Sequence, residues 1–217
     1  MAKINTRIEK LENDLMPTLK DAIDPPKEED KEDEKVLPPP KCPFCWDKKI
    51  VNGCTKPEVY TVKGDVVKKT HKPAYIYNIE AGPPLSGVDF SFGIVIESEG
   101  PKRDAYDTIG LKDASDIHLR CSPTGGPCVQ LQTGKMYVKG SLMTGQQFSR
   151  LPQLGDCITI SYSASNHAVS FTLSNQAGQA DSKVLTATFA PASGGLRPVV
   201  AARAPGWSFR LVAGDGS

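Results

Sequence analysis

The sequence predicts a mainly β protein, a two-sheet antiparallel sandwich occupying residues 58–212, preceded by a short helix and a disordered linker. Three observations lead there. Apolar side chains alternate with polar ones, as at Val169, Phe171 and Leu173, which is the period of a strand with one buried face. These runs recur every ten residues or so, separated by Gly, Pro, Ser and Asn, and no long helical pattern lies between them. No strand–helix–strand alternation appears, which excludes a nucleotide-binding α/β fold.

From the N-terminus, residues 1–23 read as an amphipathic helix. Ile4, Ile8, Leu11, Leu15, Thr18 and Ala22 follow alternating steps of four and three, a coiled-coil seam that Pro17 interrupts. A segment this short is marginal alone. It fits a homodimer through the helix, docking on a partner, or packing against its own domain, and the residues leave all three open. Residues 24–41 form an acidic, Pro-rich linker. Asp24 to Lys35 holds seven acidic and three basic residues, and Pro38-Pro39-Pro40 follows.

Residues 42–57 are a Cys-containing knuckle. Cys42-Pro43-Phe44-Cys45 sets two thiols on one side of a tight turn, a geometry suited to zinc, and Cys54 and His71 complete a candidate Cys₃His metal site. An equal reading is a structural segment in which Phe44 and Trp46 pack on the sandwich and the thiols hold no metal. A redox role would want the pair opening a helix, which the pattern lacks.

The strand runs of the sandwich are 59–62, 74–79, 88–96, 108–111, 117–121, 128–131, 135–138, 157–162, 168–173, 185–189, 196–202 and 207–212. Asn166 suits a tight or left-handed turn in the hairpin 163–167. Asp104, Asp107, Asp113 and Asp116 read as solvated charge, since their spacing matches no calcium loop.

Three pieces resemble the SPRY (B30.2-type) family. Leu151-Pro152-Gln153-Leu154-Gly155-Asp156-Cys157-Ile158-Thr159-Ile160 is similar to its approach to a Gly-Asp-x-Ile strand. Ala168-Val169-Ser170-Phe171-Thr172-Leu173-Ser174-Asn175 is similar to the strand that follows. Leu196-Arg197-Pro198-Val199-Val200 and Trp207-Ser208-Phe209-Arg210-Leu211-Val212 are similar to its closing strands. The family's tryptophan-rich first half is missing, and Asn175-Gln176 stands where Asn-Gly is common.

The resemblance implies a concanavalin-like sandwich whose loops bind a peptide or protein, as an adaptor or the substrate-recognition part of a ubiquitin ligase. A coiled coil before it resembles tripartite-motif architecture with a truncated N-terminal part. Loops 100–107, 122–127, 140–148 and 174–182 are the expected binding elements. A lectin-like carbohydrate-binding sandwich and a structural component of a larger assembly are the alternatives.

The net charge of +1, with +5 outside the acidic run, gives no reason to expect nucleic-acid or membrane partners. No apolar run is long enough to span a bilayer. The six cysteines and the absence of an apolar leader point to reduced thiols in a cytoplasmic or nuclear setting. No nucleophile elbow, phosphate loop or zinc-protease motif occurs, so no catalytic residue and no catalytic activity are expected.

Overall fold

The computed structural model describes residues 44–46, 59–71, 78–116, 125–192 and 194–214. The helix and linker of residues 1–41, with Cys42, Cys54 and the strand expected at 117–121, lie outside them. No helix occurs among the described residues.

Fourteen strands follow in order: β1 (Cys45–Trp46), β2 (Tyr60–Lys63), β3 (Val66–Lys69), β4 (Asn78–Gly82), β5 (Phe90–Ser98), β6 (Thr108–Asp113) and β7 (Pro127–Gln130). Then come β8 (Lys135–Val138), β9 (Ser141–Gln147), β10 (Cys157–Ser163), β11 (Ala168–Ser174), β12 (Leu185–Thr188), β13 (Leu196–Ala201) and β14 (Ser208–Ala213). They build two antiparallel seven-stranded sheets, ordered β1-β4-β13-β6-β7-β8-β9 and β12-β11-β10-β5-β14-β3-β2. The expected two-sheet sandwich is therefore present.

Alternation decides which side chains meet. In β10 and β11, Ile158, Ile160, Val169, Phe171 and Leu173 are fully buried, while their neighbours are only partly so. β5 supplies Phe92, Ile94 and Ile96, and the first sheet answers with Ile79, Ile109, Leu111 and Val200. Pro198, which has no N–H to donate, sits where the β13–β4 ladder is absent, since that ladder covers only Val199–Ala201.

Two expectations change. Residues 140–148 were expected to be a loop, yet Ser141–Gln147 is the edge strand of the first sheet. Its sequence hides this because nearly every residue is exposed and no alternation results. Opposite it, Met136 alone stands between partners whose counterparts, Leu142 and Gln147, are five positions apart, and the bulge bends the strand toward β12. There the Lys183 Nζ donates to Gly145 O at 2.5 Å, and the Thr186 N–H donates to Gln146 Oε1 at 2.9 Å. These two hydrogen bonds tie the edge strand to β12 and the segment that leads into it. Second, the left-handed residue of hairpin 163–167 is His167, at φ 54°, whereas Asn166 uses its Oδ1 to accept from the Ala168 N–H at 3.0 Å.

The knuckle region also contributes to the core. β1 pairs with β4, so Phe44 and Trp46 are 2% and 5% exposed. Phe44 packs edge-on against Phe92 at 5.0 Å and Phe90 at 5.7 Å, and the Trp46 indole donates to Asp65 O at 2.7 Å. Truncating a buried aromatic ring costs about 3–5 kcal/mol. Urea unfolding of the full chain should show a loss of that size for Phe44→Ala and for Trp46→Ala. An unchanged midpoint for both would mean that β1 does not close this edge.

Candidate binding surfaces: the loop rim and the outer face

β5 ends where β10 begins and β11 ends, because Cys157 lies opposite both Val95 and Ser174. The expected binding loops 100–107 and 174–182 therefore leave the second sheet at one end of the sandwich. They are joined there by loop 148–156 and by the turn between β13 and β14. Of loop 122–127, residues 122–124 lie outside the described residues and Pro127 opens β7.

The rim is organised by Asp107, which the sequence reading took for solvated charge and which is fully buried. Its carboxylate accepts the Asp104 N–H at 2.7 Å and the Arg203 N–H at 2.8 Å, so one side chain ties two loops together. Its carbonyl accepts the Leu131 N–H at 2.8 Å, which adds the β7–β8 turn. The Gln130 side chain donates to Ala105 O at 2.7 Å, and Arg103 donates to Leu131 O at 3.0 Å while pairing with Glu99. Outward from this frame stand Tyr106, 39% exposed, and Arg203, whose guanidinium lies 5.9 Å from the Tyr106 ring centre and 3.2 Å from Asp104 Oδ2. Gly100 opens this loop against the core, since a Cβ there would come within 2.8 Å of the buried Trp207 indole.

The other half of the rim uses the same device. Asp156 pairs with Arg150 and accepts the Gln153 N–H at 2.7 Å; Asp181 accepts the N–H of Ser149 and of Arg150, each at 3.3 Å, and that of Lys183 at 2.8 Å. The Gly155-Asp156 pair of the resemblance thus has a mechanical meaning. Gly155 adopts φ 82°, a left-handed backbone that glycine enters without strain, and the Gln176 side chain lies over it.

The outer face of the second sheet is the second surface. Ser91, Ser161, Ser170 and Thr186 face one another across four strands in one straight row. The next rows hold Gly93, Thr159 and Thr172, then Val95, Cys157 and Ser174. From Ser91 to Val95 and over all outward positions of β10, β11 and β12, no Asp, Glu, Lys or Arg occurs. Two shallow depressions lie on this face. One of about 650 Å³ is lined by Ser91, Ser161, Ser170 and Asp89, and one of about 600 Å³ by Val95, Leu154, Cys157, Arg210 and Val212.

Of the metal-site candidates, Cys45 is exposed in β1, and exposed His71 follows β3 with Nδ1 3.3 Å from Thr70 Oγ1. Cys42 and Cys54 are outside the described residues. Among the described residues no three His, Cys, Asp or Glu side chains gather as a metal site. Asp113, like Asp107, is buried and not solvated, accepting from Ser115 Oγ at 2.6 Å and the Ala192 N–H at 2.5 Å. Cys45, Cys128 and Cys157 form no disulfide, and burial pushes the Cys128 thiol far up.

Burial raises the Asp107 pKa despite the N–H groups of Arg203 and Asp104, which lower it. Burial also opposes ionisation of Asp113 and Asp181, but hydrogen bonds from Ser115 and Ala192, and from Lys183, Ser149 and Arg150, hold both below the ordinary value. The signs are therefore opposite. A raised carboxylate contributes stability that is full below its unfolded pKa and falls as pH rises toward the folded one; a depressed one contributes above its unfolded pKa and is lost in acid. Relative to wild type, Asp107→Asn should gain stability as pH rises above about 4, whereas Asp113→Asn should lose it as pH rises toward about 4 from more acidic values. Melting curves on both sides of that pH check both, and parallel curves for the two variants contradict the assignment.

No family model matches the chain, and no curated protein matches it. Among solved structures, the SPRY domain of human HERC1 superposes with a TM-score of 0.59 at 15% identity, over 79% of this chain and 99% of that one. A human SPRY domain gives 0.53 at 18% identity, over 71% and 94%. The structure of stonustoxin gives 0.52 at 9% identity, over 79% of this chain and 27% of the toxin. Two antiparallel sheets and these superpositions show that the described part of this chain is a β-sandwich of the SPRY fold.

Proposed function

We propose that this chain is an interaction module that binds a peptide or protein partner through the rim of loops at the β5–β10 end. One observation carries the reading. Buried Asp107 fixes two loops from beneath while Tyr106 and Arg203 stand exposed above it as a stacked pair. Tyrosine and arginine are the side chains that most often dominate interface energetics. A rim held by a rigid sandwich loses little conformational freedom when a partner docks.

The SPRY fold supports the same reading, since the domains it resembles serve as interaction modules. As an adaptor, or as the part of a ubiquitin ligase that chooses the substrate, the module would supply selectivity and no bond chemistry. A homodimer through helix 1–23 would add avidity. Zinc at Cys42, Cys45, Cys54 and His71 rests on Cys-x-x-Cys spacing, and burial of Phe44 and Trp46 accounts for those two neighbours without it. Elemental analysis of protein purified without added metal should find about one equivalent if those four ligands hold the ion.

Peptides selected from a random display library on the full chain test the main reading. Tyr106→Ala and Arg203→Ala should each weaken their binding roughly tenfold or more, the loss expected of a residue contributing above 1 kcal/mol, with the melting temperature unchanged. Peptides that bind both variants as well as wild type would place recognition elsewhere.

A further inference from the structure

We propose that the outer face of the second sheet seats an extended, uncharged peptide segment, anchored by one bulky apolar side chain beside Leu154. This rests on the reading of the chain as a peptide-binding module and gives its ligand a track and a chemistry.

The face is set apart by what it lacks. A solvated sheet face ordinarily carries Lys and Glu, which keep it soluble and resist pairing. Here the outward positions of β10 and β11 are Ser, Thr, Ala and Cys alone. Covering hydroxyls costs far less than covering charges, provided each finds a partner. A hydroxyl both donates and accepts, so a row of them can meet the alternating N–H and C=O groups of an extended chain. The trough is bounded, too. At its rim end the Arg210 guanidinium and Glu97 carboxylate pair at 2.5 Å, and at its far end the Asp89 carboxylate accepts the Ala164 N–H at 2.7 Å, so charge stands at the two ends and none on the strands between them.

Size and shape narrow the occupant. Seven residues of strand run about 23 Å, room for about seven residues of extended peptide. Depressions of about 650 and 600 Å³ interrupt the face, so a second copy laid flat on it would leave voids that close packing disfavours. The ends differ chemically. The far end gathers the hydroxyls of Ser91, Ser161, Ser170 and Thr186 beside Asp89 and partly buried Phe90, whereas the rim end has Val95 and Val212 with Leu154, which is 56% exposed. An apolar side chain lodged there removes that surface from water. A glycan is the weaker fit, because the rings that line the far-end depression, Phe90 and Tyr162, belong to the core side of their strands and present little free face to a sugar, Tyr162 being 4% exposed.

Cys157 lines the rim-end depression, and exposed Cys45 lies in the other sheet, so the two thiols form a built-in reporter and control. The probes are fluorescein-labelled decapeptides of Ser, Thr, Gly and Asn with a single Leu. Matched sets carry Leu→Ser, or two Ser→Asp, or two Ser→Lys, and a neutral oligosaccharide array runs alongside. Iodoacetamide labelling of each thiol in the full chain is followed by mass spectrometry.

The neutral Leu peptide should slow labelling of Cys157 about tenfold at ten times its Kd and leave Cys45 unaffected. The charged and Leu-free sets should bind roughly tenfold more weakly, and Ser161→Lys should abolish both binding and protection. Undiminished labelling of Cys157 by a peptide that still depends on Tyr106 would overturn the track and leave the rim reading standing. Absence of any peptide binding would sink both. Protection by an oligosaccharide and by no peptide would overturn the occupant.

Discussion

The structure depends on a strict two-residue alternation along β5, β10 and β11. The inward set, Phe92, Ile94, Ile96, Ile158, Ile160, Phe171 and Leu173, is fully buried and joins the two sheets. The outward set over the same stretch is almost entirely small and uncharged. A slip of one residue in any of these strands would exchange the sets and bury hydroxyls where packed rings now lie. Register is thus fixed by the core, and the chemistry of the outer face follows from it. Structure and proposed recognition share one cause.

Around that centre, the sandwich is finished by polar and aromatic closures of different kinds. At one edge, Phe44 and Trp46 close the space between β4 and the β2–β3 turn. At the other, the bulged β9 bends onto β12. Carboxylates bind the loops at the rim: Asp107 for one half, Asp156 and Asp181 for the other. The first sheet carries a buried ionic cluster as well, with the Lys112 ammonium 2.6 Å from Glu80 and the Arg197 guanidinium 3.2 Å from it. Such clusters add little net stability over apolar packing, but removing one member is costly because it strands a buried charge. The rim network is different in kind, since its carboxylates satisfy backbone N–H groups that the loops would otherwise leave unpaired.

Much of this was legible in the residues. Val169, Phe171 and Leu173 announce a half-buried strand, and β8 occupies the interval expected from sequence. The resemblance at Gly155-Asp156 pointed to a sandwich type that the superpositions support. What escaped did so for physical reasons. β9 is an exposed, bulged edge whose residues face water on nearly every side, so no period appears. β1 is two residues long and its pairing with β4 is non-local, beyond the reach of any window. Asp107 looks like any loop aspartate until its two N–H partners, one of them 96 positions away, come together. The neutral face was present in the sequence as a run of Ser and Thr, but only the cross-strand register aligns those residues into rows.

Thiol accessibility across β10 tests the alternation most directly. Ser161→Cys and Ile160→Cys, each introduced singly into the full chain, differ by one position and by the whole width of the sheet. The account predicts rapid labelling of the Ser161→Cys variant in the native state and labelling of the Ile160→Cys variant only on unfolding. Equal rates at the two positions, or the reverse order, would contradict it.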